Sequence, residues 1–235
     1  MPKPHYSRDY NQLVRGLIAK ESNYEVAMSR AVGDGPYVES GLVNRRFLES
    51  HGLQDKHYLI DVGAGSGRLA FALKDLPNLR YLGTDVVPEL LEFGRKKCGR
   101  PDWTFKQIET IEIPESDGVA DFVVFFSVMT HLKEEESFQY LKEAKRVMKR
   151  DGVIVVSFLD SDIPLHAKIV GKTLLHRNWW KQRIARLLGK GHLNILLSKQ
   201  SIQNWSRKLD LSVEFFDESI GQSVCIFRQK RVLHA

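Results

Sequence analysis

Residues 60–73 read IDVGAGSGRLAFAL, an apolar run that breaks at Asp61 and then places Gly63, Gly65 and Gly67 within five positions. Apolar residues in a row before the glycines read as a buried strand, and the spacing after them as a helix. Glycine at this density marks a backbone that turns tightly or is approached closely, because the missing side chain removes the steric bar to both. A nucleotide-type ligand can lie on the amides where such a turn opens a helix. The competing reading is a tight β–α turn that binds nothing. A dinucleotide fingerprint would place its third glycine at position 68, where this chain has Arg68, a residue expected to obstruct close helix–strand packing.

The pattern extends outward in both directions. RDYNQLVRGLIAK, SNYEVAMSRAV and SGLVNRRFLESHGL have helical spacing and precede the strand HYLIDVG. After it come the helix GRLAFALKDL, the strand RYLGTDV and the helix VPELLEFGRKKC with Pro88 in its first turn. WTFKQI, ADFVVFFSV and GVIVVSFL read as further strands, with the helix EEESFQYLKEAKRVMKR before the last. Continuously apolar strands alternating with helices indicate a parallel sheet covered on both faces. The expected fold is a Rossmann-like three-layer αβα sandwich. The helix SKQSIQNWSRKL and the strands SVEFFDE and QSVCIFRQK follow, the last two suited to an antiparallel hairpin at the sheet edge.

Asp85 ends the second strand, where one carboxylate can accept hydrogen bonds from both hydroxyls of a ribose. Alone it would read equally well as a turn residue or a helix cap before Pro88. With the glycine cluster it points to a ribose-bearing ligand.

The 235 residues suit one domain. Cys98 and Cys225 lie far apart and match no metal or disulfide spacing, which with the lack of a signal-like or spanning segment points to the cytoplasm. The net charge of +6 is unevenly placed: residues 164–209 hold ten Lys or Arg and no Asp or Glu, which leaves the remainder at −4.

Taken in order, IDVGAGSGR, YLGTDV, ADFVVFFSVMTHL and LKEAKRVMKRDGVIVVS resemble the successive motifs of class I S-adenosylmethionine-dependent methyltransferases. The resemblance covers about residues 57–160 and implies a mostly parallel seven-stranded sheet with an antiparallel C-terminal hairpin. It implies S-adenosyl-L-methionine as cofactor, with Asp61, Gly63, Ala64, Gly65, Gly67 and Arg68 around its methionine end. Asp85 would hold the ribose, Val86 would lie against the adenine, and Glu109 and Thr110 would sit near the adenine amino group, although Glu109 reads equally as a plain loop acid. Phe126 and Ser127 would pass under the sulfonium.

His131, just past the fourth strand, is the candidate base for a substrate hydroxyl, since its reference pKa of ~6.5 lies near working pH; the competing reading is that it caps the following helix or packs near the cofactor. No Asn-Pro-Pro-Tyr or Asp-Pro-Pro-Tyr run follows that strand, and no Pro-Cys pair is present. Asp160 and Asp162 form a pair without a third ligand, so no metal is expected.

Acceptor choice would reside outside the core. The expected organisation is one methyltransferase domain with a helical lid at 1–56, a cofactor core at 57–160, a basic insertion at 161–198 and a C-terminal helix and strands at 199–235. Tyr37 and Glu39 in the lid, and His166, His192 and Asn194 around the insertion, are the candidate acceptor contacts. Within 168–190, basic residues interleave with Leu174, Leu175, Trp179, Trp180, Ile184, Leu187 and Leu188, the composition of an anionic-membrane-surface segment, of a phosphate-binding face or of a helix that docks on the core. A looser resemblance of AVGDGPYVESG, SVMTHL, GHLNILLSKQSIQNW and GQSVCIFR to bacterial methyltransferases of glycan and secondary-metabolite clusters implies a hydroxyl of a small or glycan-like acceptor. On the membrane-surface reading of 168–190, the cytoplasmic protein would contact the inner face of the membrane. The rivals are an RNA methyltransferase that uses 168–190 and a nucleotide-binding module without catalysis. Oligomeric state is open.

Overall fold

The computed structural model describes residues 7–33, 35–175, 194–217 and 220–230. These fall into two compact units, one up to Glu112 and one from Ile113.

The first unit begins with three helices, α1 (Ser7–Lys20), α2 (Tyr24–Ala31) and α3 (Tyr37–Ser50). Asn23 caps α2, its side-chain oxygen accepting the amides of Glu25 and Val26. Gly52, at φ 102°, lets the chain leave α3 in a left-handed turn. Strand β1 (Tyr58–Val62) is buried along its whole length. It is followed by the six-residue helix α4 (Arg68–Leu73), β2 (Arg80–Asp85), α5 (Pro88–Cys98) and β3 (Thr104–Gln107). Pro88 occupies the first turn of α5, where its missing N–H costs nothing, and Gly99 closes the helix at φ 66°. The strands lie in the order β3-β2-β1 and are all parallel, with Asp61 beside Gly83 and Asp85 beside Gln107.

The second unit contains β4 (Ala120–Phe125), a 3-10 turn at Met129–His131, α6 (Glu134–Val147) and β5 (Met148–Asp160). Next come α7 (Pro164–Leu175), the two-residue β6 (Leu196–Leu197), α8 (Lys199–Lys208), β7 (Leu211–Phe216) and β8 (Ser223–Gln229). Three glutamates open α6 at the end of the helix dipole that favours them, and the Glu136 carboxylate accepts the amide of Lys133 at 2.9 Å. The strand order is β4-β5-β8-β7. β4 and β5 run parallel, whereas β8 pairs antiparallel with both β5 and β7.

The class is therefore a mostly parallel, Rossmann-like mixed sheet flanked by helices, with an antiparallel C-terminal pair. The expected seven strands are joined by β6, which pairs with the end of β5. α6 stops at Val147, before the Met148–Arg150 stretch that its helical spacing would include, because Met148 pairs with Ala120 as the start of β5. Among the described residues no helix is long and apolar enough to cross a membrane.

Candidate cofactor site and the turns after β1 and β4

In the first unit the chain leaves β1 through Gly63, Gly65 and Gly67, all with positive φ, at 73°, 54° and 80°. The turn is tied to β2, since the amides of Gly63 and Ala64 both donate to the Thr84 carbonyl, at 2.7 and 2.8 Å. A β-carbon on Gly65 would lie 2.7 Å from Val32 Cγ1, and one on Gly67 would lie 2.7 Å from the Gly94 Cα. Two of the three glycines are thus required by the protein's own packing. Gly67 against Gly94 is a backbone-to-backbone approach between the turn and α5. It replaces the contact that Arg68 was expected to obstruct.

Arg68 turns the other way. Its guanidinium donates to the carbonyls of Ser29, Val32, Gly33 and Gly35, at 2.7 to 3.3 Å. The Tyr37 hydroxyl donates to the Ser66 carbonyl at 2.7 Å. Both side chains fasten the α2–α3 connection onto the glycine turn, and burial pushes the Tyr37 phenol above its usual pKa. Glu39, on the same helix, is exposed, as is Glu109 after β3, while Thr110 is half-buried.

Asp85 is 6% exposed at the end of β2. One carboxylate oxygen accepts the Gly65 amide at 2.9 Å and the other the Val87 amide at 3.0 Å. Burial pushes its pKa up to about 6, against the opposing pull of the Val87, Gly65 and Val86 amides. Asp61 is 3% exposed and accepts the Tyr81 hydroxyl at 2.7 Å. Burial pushes it up to about 7, Tyr81 opposes that, and the charge of Asp85 adds to it. Asp61 is therefore committed to β2 from within the sheet. Val86 is buried, and its carbonyl accepts from Asn11 Nδ2 at 3.1 Å and Gln107 Nε2 at 3.2 Å. Tyr10, also on α1, donates to the Ala31 carbonyl at 2.8 Å, and burial together with the nearby Asp85 charge holds its phenol protonated. Helix α1 is thus built against the two residues expected to take the ribose and the adenine.

These residues fit a ribose-bearing cofactor. A carboxylate has about four acceptor sites, and the two amides on Asp85 leave room for a diol. A buried charge at this position gains from two more donors.

In the second unit, β4 ends at Phe125, with Phe126 half-buried and Ser127 exposed. Ser127 has φ 59°, a left-handed conformation reached here without glycine. Its amide donates to Ser157 Oγ at 2.7 Å, Ser157 Oγ donates to Gln222 Oε1 at 2.7 Å, and Gln222 Nε2 donates to Ser127 Oγ at 3.0 Å. The Thr130 hydroxyl donates to the Ser127 carbonyl at 2.9 Å. His131 ends the 3-10 turn that follows, half-buried, with Lys133 and not His131 capping α6. Asn194 directly precedes Ile195, whose amide donates to the Thr130 carbonyl of this turn at 2.7 Å.

His166 is fully buried, and its Nδ1 accepts the Asp160 amide at 2.9 Å. With Nδ1 occupied by that amide, Nε2 is the ring nitrogen left for any further partner. Asp160, equally buried, accepts the Asp162 amide on Oδ1 at 3.0 Å and has Lys199 3.5 Å from Oδ2. His192 lies outside the described residues, as does the basic segment beyond Leu175.

Tyr10, Asn11, Tyr81, Ser157 and Gln222 escape the motif reading. Their partners lie far along the chain, 75 residues from Asn11 to Val86 and 95 from Gln222 to Ser127, so no local spacing announces them.

Against known proteins, residues 60–156 match the family model described as a methyltransferase domain. The chain is 31% identical over 121 residues to the ubiquinone/menaquinone biosynthesis C-methyltransferase UbiE of Citrifermentans bemidjiense, covering 48% of this chain and 50% of that one. It is 27% identical over 124 residues to the ribosomal protein L11 methyltransferase of Thermosipho africanus, covering 52% and 45%. The chain thus spans about half the length of these curated relatives. Its fold is similar to the crystal structure of a TehB-like SAM-dependent methyltransferase from Corynebacterium glutamicum, with a TM-score of 0.57 at 18% identity over 96% of this chain and 98% of that one. The family match places a methyltransferase-type domain at residues 60–156, and the likeness of fold extends over nearly the whole chain.

Proposed function

We propose that the protein transfers a methyl group from S-adenosylmethionine to a hydroxyl of a small or glycan-like acceptor, as a single catalytic domain with residues 1–56 as its cap. The observation that carries the cofactor half is Asp85, a buried carboxylate clamped by two backbone amides at the end of β2. When bound, the cofactor supplies an electrophilic methyl group with its own leaving group. The chain's work is then to bind, to orient and to exclude water.

In the first unit, Asp85 takes the ribose, Val86 the adenine, and the amide-lined turn at Gly63 and Ala64 the methionine end. Asn11 fixes the Val86 carbonyl from the capping side. In the second unit, His131 accepts the proton released by the acceptor hydroxyl. Ser127 follows β4 in place of an amine-binding Asn/Asp-Pro-Pro-Tyr run, which supports oxygen over nitrogen as the methylated atom. Asn194, beside the 3-10 turn, is an acceptor contact on the same reading.

Calorimetry with S-adenosylhomocysteine tests the cofactor half: measurable heat is expected, and its absence would sink the assignment. Labelled cofactor added to an extract of the host tests the acceptor half, with label expected in a base-stable methyl ether. Label in protein or nucleic acid would replace the hydroxyl reading.

A further inference from the structure

A non-glycine residue stays in the left-handed region only where its surroundings over-determine it, and such positions gather at functional sites. Ser127, at φ 59°, has three surrounding groups that do so. Its amide occupies a lone pair of Ser157 Oγ, the Ser157 hydroxyl proton goes to Gln222 Oε1, and the Gln222 amide returns a proton to Ser127 Oγ. The ring closes on itself. Ser157 is fully buried, Gln222 half-buried and Ser127 exposed, so the ring has a buried anchor and an open end. Ser127 Oγ accepts within the ring, which leaves its own proton directed outward. The Thr130 hydroxyl on the Ser127 carbonyl extends the same restraint to the turn that carries His131.

We propose that Gln222, on the approach to β8, is a positioning residue for methyl transfer: with Ser157 it locks the turn after β4 and presents the Ser127 hydroxyl to an oxygen of the methyl acceptor. The proposal rests on the methyltransferase reading above. It assigns no chemistry to Gln222 itself, which acts only through Ser127 and the turn.

The test uses the full chain with Gln222→Met, which removes both halves of the amide's role, and Gln222→Glu, which accepts from Ser157 but has no proton for Ser127. Each is also built on Ser127→Gly, where glycine holds the left-handed turn unaided. Three readouts are taken: exchange of the residue-127 amide by NMR, affinity for S-adenosylhomocysteine, and the maximal rate of labelled-methyl incorporation into host extract. In Gln222→Met, exchange and loss of incorporation should each change by about 10-fold or more, with affinity kept within roughly twofold, since misplacement of order 1 Å costs rate and not cofactor binding. On the Ser127→Gly background, Gln222→Met should add less than about twofold, the non-additivity of a shared network. Unaltered amide exchange, faster exchange with unaltered incorporation, or an equal effect on both backgrounds would each overturn the proposal. A wild-type protein that binds no S-adenosylhomocysteine would fail the underlying reading instead, and Ser127 exchange would still judge the lock.

Discussion

Two turns after parallel strands need a left-handed residue, and they obtain it by opposite means. After β1 the chain uses glycine, with Gly63, Gly65 and Gly67 at φ between 54° and 80°. After β4 it uses Ser127 at φ 59°. A left-handed conformation costs a residue with a β-carbon about 1–2 kcal/mol, and glycine almost nothing. The first turn reaches its conformation without a side chain of its own, Asp85 and Tyr37 bonding it from outside, and its neighbours close in on the bare backbone at Val32 and Gly94. The second keeps a side chain where backbone comfort would favour none, and three hydrogen bonds across the unit hold it. A hydroxyl is what the second turn gains from that arrangement.

The comparison breaks most readily at Gly67. Gly67→Ala should destabilise the protein by about 3–4 kcal/mol, overpacking against Gly94 adding to the left-handed cost, as read by urea unfolding. A loss under about 1 kcal/mol would mean that the turn and α5 separate freely. His131→Ala should lower labelled-methyl incorporation ~100-fold with S-adenosylhomocysteine affinity kept, the signature of a lost general base. Asp85→Ala should weaken S-adenosylhomocysteine by about 1.5–3 kcal/mol in calorimetry, the worth of charge-assisted hydrogen bonds. Unchanged affinity would detach the ribose from β2.

A pH effect separates the two turns further, because the raised carboxyls lie on the first. Asp61 and Asp85 titrate at about 7 and about 6 in the folded chain, above the usual ~4 of an unfolded aspartate. Between those limits the native state holds protons that the unfolded chain has released. Their contribution to stability therefore falls as pH rises from about 4 to about 7 and is constant above. Thermal melts across that range should show the slope, and Asp61→Asn should remove the larger part of it. S-adenosylhomocysteine binding follows the opposite sign, strengthening as pH rises through about 6, since hydroxyl donors favour ionised Asp85. The smallest expected effect lies on the second turn. Ser127→Gly should leave stability within about 1 kcal/mol of the wild type, the relief of strain offset by a lost ring.

The same contrast explains what the sequence announces. β1, β2, α5 and the turn between β1 and α4 are written locally, as an apolar run, glycines and a proline at a helix start. Asp85 is legible because a strand end followed by Val86 and Pro88 fixes its place. Arg68 is misread as an obstruction to packing, because its side chain answers to carbonyls at 29–35 and not to the helix it begins. β6 escapes notice because two leucines have no periodicity to read. Ser127 is legible as a site position by resemblance, but its left-handed conformation escapes for a deeper reason: a strained residue stabilised by distant side chains leaves no glycine behind as a mark. The basic residues 164–209 are conspicuous in sequence, yet charge alone does not say what they face.

The order of synthesis gives the two turns different histories. A chain made from its N-terminus has everything the glycine turn needs once Gly94 has emerged. The serine turn must wait for Gln222, on the final hairpin. On the proposed reading, the residues for the ribose and adenine are thus in place long before the turn that carries His131 is locked, and a nascent or C-terminally clipped chain would bind S-adenosylhomocysteine without transferring a methyl group.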